Sequence, residues 1–223
     1  ISIFTTGNEL VMPGTNLKSG QIYNSNLFLL VELAKNIGLD IKENKILKDN
    51  KDELKISIAK ALNNSDIIIS SGGISMGKYD FLKLVYKNIG VEELFHKIAQ
   101  KPGKPMFFGV FGKKVIFGLP GNPISCLICF LEYIWPLTEK MMGKKIENLY
   151  QEAELTTSFP IEKDKHRFLL GKVFLFNKKL YATPSKKLGS HMLSSTIDSN
   201  AILMSSPGFH QLKKGEKIKF KIF

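Results

Sequence analysis

Three glycine-containing loops hold the residues of this sequence whose types and spacing best suit ligand chemistry. Their positions and sequences are 70–80 (SSGGISMGKYD), 101–105 (KPGKP) and 118–123 (GLPGNP). Glycine lets backbone N–H groups approach an anion closely, and the N-terminus of a following helix adds a partial positive charge. Because lysines lie between the loops, the pattern predicts a pocket for a phosphorylated compound, and Asp80 is available to a metal ion.

The segments that must position these loops alternate between strand and helix patterns. In chain order they are strand 1–5, helix 24–36, strand 39–47, helix 52–63, strand 66–69, helix 81–88, hairpin 106–118 and helix 122–142. This alternation predicts an α/β domain with a mostly parallel sheet and helices on both faces. Ligands of such sheets bind beyond the carboxyl ends of the strands, where residues 6–9 and the loop at Ser71 fall.

The pattern changes near Gly143. From Glu152 onward the chain has short alternating apolar segments separated by turn residues, which is typical of a small all-β barrel or sandwich. The sequence therefore predicts two domains: an α/β domain at 1–145, followed by a small, barrel-like all-β domain at 146–223.

The positive charge of the chain is spread rather than clustered. The formal net charge is +12, and Arg167 is the only arginine. Nucleic-acid-binding proteins favour arginine and concentrate their basic residues on one surface. The composition therefore favours a solvated, lysine-rich surface over a nucleic-acid interface. No apolar run is long enough to span a bilayer, so we expect no membrane partner.

The two cysteines, Cys126 and Cys129, lie in an apolar helical stretch. A C-x-x-C pair can bind a metal or form a disulfide, but no second pair or nearby histidine completes a metal site. We expect buried structural thiols in a reducing, cytoplasmic compartment. The sequence begins at Ile1 within a strand pattern and has neither an initiator Met nor a signal peptide, so we expect it to be a piece of a longer protein or a chain whose beginning is missing.

In the order and spacing of its motifs, the sequence resembles the molybdopterin molybdenumtransferase family, which includes MoeA and the gephyrin E domain. One motif alone would be weak, whereas the ordered set is specific. The matching segments are 6–10, 20–26, 71–77 with Asp80, 101–105 with Phe108 and Gly109, 118–125, and 189–193 followed by 199–201.

The resemblance implies a reaction and its partners. The implied substrates are molybdate and adenylylated molybdopterin, a pterin dithiolene joined to AMP through a diphosphate. Molybdate enters the dithiolene, AMP leaves, and Mg²⁺ assists. Family members carry two further domains before the position of Ile1 and act as homodimers, with a molybdopterin adenylyltransferase as a possible partner. The resemblance therefore implies that this chain holds only part of the active site.

Three acids are the catalytic and metal-binding candidates: Glu9, Asp49 and Asp80. Each follows a predicted strand, so the three could converge at one edge of the sheet. Clustered carboxylates suit a hard cation that bridges to phosphate oxygens. The structural alternatives are a turn acid for Glu9 and a helix N-cap for Asp80.

The family's remaining site residues carry over to basic and loop positions. Lys97 and Lys101 resemble the catalytic basic pair that would hold molybdate or phosphate. The implied substrate-binding residues are Ser71, Gly72, Gly73, Ser75, Lys104, Pro120, Gly121, Asn122, Arg167 and Ser190. The alternatives are solvated lysines, an ordinary tight turn at the glycines, a helix cap at Asn122, and a surface ion pair between Arg167 and Asp164.

Two other functions stay open at this point. A molybdopterin adenylyltransferase shares the α/β domain, but the β domain and the 101–105 loop are evidence against it. A non-catalytic scaffold of the gephyrin type would bind partner proteins. An intact acidic cluster would favour the enzyme over the scaffold.

Overall fold

The computed structural model describes residues 1–74, 81–145, 150–187, 189 and 191–223. The chain divides into two compact units. The first comprises Ile1–Ile98 and Pro105–Phe130, and the second comprises Ala99–Lys104 and Leu131–Phe223. The sequence prediction of 1–145 and 146–223 divides the chain differently. The reasons are that the segment at Lys101 pairs with a strand of the second unit, and that the chain from Leu131 onward belongs to that unit.

All of the strands except β11 are short. In chain order they are β1 (Ser2–Thr6), β2 (Leu10–Val11), β3 (Ile22–Tyr23), β4 (Glu43–Leu47), β5 (Ile67–Ser71), β6 (Glu92–His96), β7 (Gln100–Lys101), β8 (Phe107–Phe111), β9 (Lys114–Leu119), β10 (Gln151–Leu155), β11 (His166–Phe176), β12 (Lys179–Pro184), β13 (Ala201–Ser205) and β14 (Lys217–Ile222). The α-helices are α1 (Ser25–Asn36), α2 (Lys51–Asn64), α3 (Phe81–Asn88), α4 (Pro123–Cys129) and α5 (Trp135–Met141).

The described part of the first unit is built on a six-stranded sheet with the order β4-β1-β5-β9-β8-β6. The strands β4, β1, β5 and β9 are parallel, whereas β8 and β6 are antiparallel to their neighbours. Helices α2 and α3 pack against each other, and α1 packs against α4. The mostly parallel sheet with helices on both faces is therefore confirmed.

Helix starts and buried side chains explain why these segments fold as they do. Asn24 caps α1 by accepting a hydrogen bond from the N–H of Leu27, and Asn50 caps α2 through the N–H groups of Asp52 and Glu53. One face of the sheet forms an apolar core with α2 and α3. Its members include Phe4, Leu54, Ile58, Ile68, Leu82, Tyr86 and Ile116.

The long helix predicted at 122–142 is present as a series of helical segments. Between α4 and α5 the chain makes a π-helical turn at Phe130–Ile134, just before Pro136 in the first turn of α5. Proline lacks an N–H and clashes with the preceding turn, so a change of helical geometry at this point is expected.

The second unit contains a closed five-stranded barrel in its described residues. The strand order is β12-β10-β14-β13-β11, and pairing of β11 with β12 closes the ring. Strand β7 adds to the outer edge of β11. Alternate residues of these strands, such as Leu155, Leu169 and Leu203, form a separate apolar core together with Phe159 from the segment between β10 and β11. The predicted all-β domain is confirmed as a barrel. Among the described helices, none is both long enough and apolar enough to cross a bilayer.

The core of the first unit provides a matched stability test on α2. Ile58 is 1% exposed in the core, whereas Ile56, on the same helix, is 69% exposed. We expect Ile58→Ala to lower the free energy of unfolding by about 2 to 5 kcal/mol through lost burial and a residual cavity. The control Ile56→Ala should change it by less than about 0.5 kcal/mol. Chemical denaturation measures both. Equal losses would contradict the assigned orientation of α2.

Candidate functional site

The carboxyl ends of four parallel strands meet along one edge of the first sheet. Thr6 of β1 pairs with Leu47 of β4, and Ser71 of β5 pairs with Leu119 of β9, so the four strands end side by side. The chain passes from β1 to β4 on one side and then to β5 on the other, which makes the β1–β5 boundary the topological switch point where α/β sheets bind ligands.

A cavity of about 320 Å³ lies at this edge. Its volume is within the range of small-molecule sites, about 300 to 1,000 Å³. Six of the predicted site residues line it: Glu9, Asp49, Ser71, Gly72, Gly73 and Gly121. The structure therefore brings together one acid pair and two glycine turns that are distant in the sequence.

The two glycines that follow β5, Gly72 and Gly73, pack directly against the end of β1. Gly72 and Gly73 have φ values of +89° and +62°. A Cβ atom on Gly72 would lie 2.4 Å from the carbonyl oxygen of Thr6, and one on Gly73 would lie 2.8 Å from Thr6 Oγ1. Backbone conformation and space both require glycine at these positions. The Gly72 N–H donates to the Leu119 carbonyl at 3.2 Å, so it already has a partner within the protein.

Asn26 of α1 connects the two glycine turns, and sequence analysis assigned it no role. Its Nδ2 donates to Ser71 Oγ at 2.9 Å and to the Gly121 carbonyl at 2.8 Å. Ser71 Oγ donates in turn to the Pro120 carbonyl at 3.2 Å. Ser71 therefore lines the cavity while its hydroxyl holds the turn after β9. The sequence feature that could have identified Asn26 is a polar residue on the buried face of an apolar helix.

Two buried oxygens at the cavity lack hydrogen-bond partners among the described residues. They are Thr6 Oγ1 and Asn26 Oδ1. Buried polar groups are usually paired, because an unpaired one costs free energy. Their residues both line the cavity, at the switch point between β1 and β5.

Glu9 and Asp49 form the acidic side of the cavity. The Asn8 N–H donates to Asp49 Oδ2 at 3.3 Å, and the Asp49 N–H donates to Asn8 Oδ1 at 3.2 Å. The Glu9 carboxylate packs over Gly7, where a Cβ would lie 2.7 Å from both of its oxygens. Burial raises the pKa of Asp49, and the negative charge of Glu9 raises it further, against the opposing effect of the Asn8 N–H.

Only part of the predicted metal site can be placed. Asp80, together with the predicted binding residues Ser75 and Ser190, lies outside the described residues. Within the described ranges no group of three or more potential metal ligands occurs. Glu9 and Asp49 also form no ion pair with any basic side chain in those ranges. The acid pair therefore carries negative charge that the described protein leaves uncompensated.

Lys101 and Arg167 come together in the second unit. Lys101 Nζ lies 2.8 Å from Glu162 Oε1, and Arg167 NH1 lies 3.9 Å from the same oxygen. Parallel pairing of β7 with β11 places Lys101 opposite Arg167. The suggested Arg167–Asp164 pair is wrong: Asp164 pairs with Lys165 at 3.0 Å. Glu162, which sequence analysis did not single out, is the shared acidic partner.

The structure also describes the local surroundings of three further candidate residues, Lys97, Lys104 and Asn122. Lys97 has a φ of +71°, and its N–H donates to the Met106 carbonyl. Lys104 is exposed. Asn122 occupies the N-cap position of α4, but its side chain makes no capping hydrogen bond.

Cys126 is a buried structural thiol, as expected. Its Sγ donates to the Pro120 carbonyl at 2.8 Å, and burial raises its pKa to about 12. A thiol with so high a pKa is a poor nucleophile at neutral pH. Cys129 is buried on the same helix.

Comparison with known proteins places both parts of the chain. Residues 2–140 match the family model described as a probable molybdopterin binding domain. Residues 152–223 match the MoeA C-terminal region, domain IV. The solved structure of a molybdopterin biosynthesis MoeA protein from Pyrococcus horikoshii superposes with a TM-score of 0.82 and 32% identity, covering 99% of this chain and 53% of that one.

Curated relatives give the same assignment. The molybdopterin molybdenumtransferase of Haemophilus influenzae is 30% identical over 226 residues, which cover 100% of this chain and 56% of the relative. That of Staphylococcus epidermidis is 32% identical over 218 residues, with coverages of 96% and 52%. The chain thus spans about half the length of the relatives it matches. It belongs to the molybdopterin molybdenumtransferase family, with a molybdopterin-binding domain followed by the MoeA C-terminal region.

Proposed function

We propose that this chain supplies the molybdopterin-binding part of a molybdopterin molybdenumtransferase, which inserts molybdate into adenylylated molybdopterin and releases AMP. The observation that carries the proposal is the cavity at the four strand ends, because it combines an uncompensated acid pair with two glycine turns. The relatives bearing that enzyme name support the same reaction.

The glycine turns are the proposed site for the diphosphate and nucleotide. Gly73 and Gly121 present backbone to the cavity with no side chain in the way. The Asn26–Ser71–Pro120 hydrogen bonds hold the two turns at a fixed separation, so the site is formed before the substrate arrives. Ser75, Pro120 and Asn122 would complete this side of the pocket.

Glu9, Asp49 and Asp80 are the proposed holders of Mg²⁺. The fit rests on geometry: Glu9 and Asp49 line the same cavity, and neither pairs with a basic side chain among the described residues, so the two carboxylates gain from a divalent cation. When bound, Mg²⁺ would neutralise charge on the phosphate oxygens. The protein's own part is to hold the acids in place, which the reciprocal Asn8–Asp49 hydrogen bonds do.

The basic residues are the proposed molybdate site. Lys101 and Arg167 both face the same carboxylate oxygen of Glu162, at 2.8 Å and 3.9 Å. They therefore form a pair of cations suited to one oxyanion. Lys104 and Ser190 are proposed as further oxyanion contacts, and Lys97 keeps the anion-holding role that the family resemblance implies for it. A homodimer, an adenylyltransferase partner and a cytoplasmic location belong to the same proposal. The first two rest on the family, and the last is supported by the buried Cys126 thiol.

The alternatives have less support. An adenylyltransferase would not require the MoeA C-terminal region that residues 152–223 match. A scaffold would not require an acid pair held without basic partners at a ligand-sized cavity. We therefore propose the molybdenumtransferase alone.

The reaction itself is tested by AMP release. The protein is incubated with adenylylated molybdopterin, molybdate and MgCl₂, and AMP is measured by chromatography. Because the relatives are about twice as long, the chain is assayed alone and as a chimaera that replaces the matching half of the Haemophilus influenzae relative. We expect AMP release from the chimaera and little from the chain alone, since groups that act as a unit fail together. A folded chimaera without AMP release would contradict the proposal.

Asp49→Asn tests the metal site. We expect MgCl₂ to raise the melting temperature of the wild type, and the variant to bind Mg²⁺ at least about tenfold more weakly, because the amide lacks the charge a hard cation requires. The control is Asp52→Asn, which removes the same charge from the exposed first turn of α2. Calorimetric titration with MgCl₂ measures the affinities. Unchanged binding in Asp49→Asn would remove this residue from the site.

Gly72→Ala tests the glycine turn. The added methyl group would overlap the Thr6 carbonyl, so the loop has to move away from β1. We expect binding of AMP in the presence of Mg²⁺ to fall at least about tenfold. The control Gly14→Ala imposes a similar φ of +91° where a Cβ meets nothing within 4 Å. Equal AMP affinity in the two variants, measured by calorimetry, would show that the turn after β5 does not form the pocket.

A further inference from the structure

Glu162 lies between the two basic residues that the proposed function assigns to molybdate. Its Oε1 accepts from Lys101 Nζ at 2.8 Å and is 3.9 Å from Arg167 NH1. The Lys101 interaction is the largest factor that lowers the pKa of Glu162, so the carboxylate is charged at neutral pH. One internal anion therefore occupies the space between two cations.

Arg167 is only partly compensated by this carboxylate. The residue is 7% exposed, its Nε has no hydrogen-bond partner among the described residues, and its contact with Glu162 exceeds hydrogen-bond length. Burial lowers the pKa of Arg167, and the Glu162 charge opposes that effect. A buried guanidinium with a single distant counter-charge gains from a second, better-placed anion.

We propose that Glu162 is an internal competitor for the oxyanion: its carboxylate occupies the anion position between Lys101 and Arg167 in the empty protein and swings out when a tetrahedral dianion binds. The inference rests on the proposed function, in that it takes Lys101 and Arg167 as the oxyanion's partners. It adds a residue that sets the affinity and selectivity of that site.

The surroundings of Glu162 permit this movement. Its side chain is 25% exposed, and it lies outside the barrel strands. The backbone is held, because the Glu162 carbonyl accepts from the Gly208 N–H at 2.9 Å and nearby Phe159 pairs with Leu212. Rotation of the side chain therefore requires no rearrangement of the chain. The Lys101 side chain is 53% exposed, so breaking its ion pair with Glu162 costs little.

A carboxylate that competes for the anion position makes the site select among anions by their charge. With Glu162 in place, two cations face one negative charge, and an incoming anion meets repulsion from the carboxylate. A monovalent anion such as chloride only replaces the charge that is already there. A dianion such as molybdate matches both cations once the carboxylate has left, so it gains more than chloride does. Glu162 thus favours divalent oxyanions over monovalent anions.

Glu162→Gln tests the proposal in the 223-residue chain. We expect the variant to bind sodium molybdate with a Kd about tenfold lower than the wild type, the size expected for removing one partly exposed like charge. It should also bind chloride more tightly and so discriminate less between the two ions. Asp164→Asn is the matched control, because it removes a charge two residues away whose ion-pair partner is Lys165. Calorimetric titration measures each Kd.

A second readout separates competition from ordinary structural support. Without oxyanion, Glu162→Gln should melt at a lower temperature than the wild type, because Arg167 loses its counter-charge. Molybdate should raise the melting temperature of the variant more than that of the wild type. If the amide variant does not fold, Glu162→Asp replaces it. Its shorter side chain reaches the cations less well, so it should also bind molybdate more tightly.

Three results would overturn the inference. They are equal molybdate affinity in wild type, Glu162→Gln and Asp164→Asn; weaker binding in Glu162→Gln, which would make Glu162 a supporting residue; and no molybdate binding in any of them. Failure of the proposed function is a separate result. If Glu162→Gln binds molybdate more tightly but the chimaera releases no AMP, the role of Glu162 is upheld. The proposed transferase reaction is then ruled out.

Discussion

The close packing of the glycine loop against the end of β1 is the constraint on which the site depends. Gly72 approaches the Thr6 carbonyl so closely that a methyl group would overlap it. This contact fixes Gly72 and Gly73 at the switch point of the sheet. Asn26 and Ser71 then fix the turn after β9 relative to these glycines. The cavity is therefore determined by backbone contacts and buried hydrogen bonds, and the ligand does not have to order it.

At two places in the described residues, like charges lie close together and the protein does not fully neutralise them. In the first unit, Glu9 and Asp49 repel each other without a basic partner among the described residues, and burial raises the pKa of Asp49. In the second unit, Lys101 and Arg167 share one carboxylate, and Arg167 is buried. A divalent cation would neutralise the first pair of charges and an oxyanion the second. Both ligands belong to the reaction proposed from the family.

Local patterns predicted most of the fold, because the elements that bury one face carry a clear period. Strands β1 and β5 and helices α1 to α3 followed from apolar spacing and capping residues. Strand β6 was missed because its residues are mostly exposed at the sheet edge, and β7 because it has two residues. In the site, the loops were predictable, but Asn26 and Glu162 were not. Asn26 acts through Ser71, 45 positions away, and Glu162 through Lys101, which only the fold brings near.

We propose that the four strand ends of the first unit bind the nucleotide end of the substrate. An NMR titration of the chain with AMP and MgCl₂ tests it most directly, because each backbone N–H reports its own surroundings. If the nucleotide binds there, the largest shifts fall on Asn8, Glu9, Gly73 and Gly121 at the cavity edge. Shifts confined to residues 150–223 would contradict it, because they would place the nucleotide on the barrel.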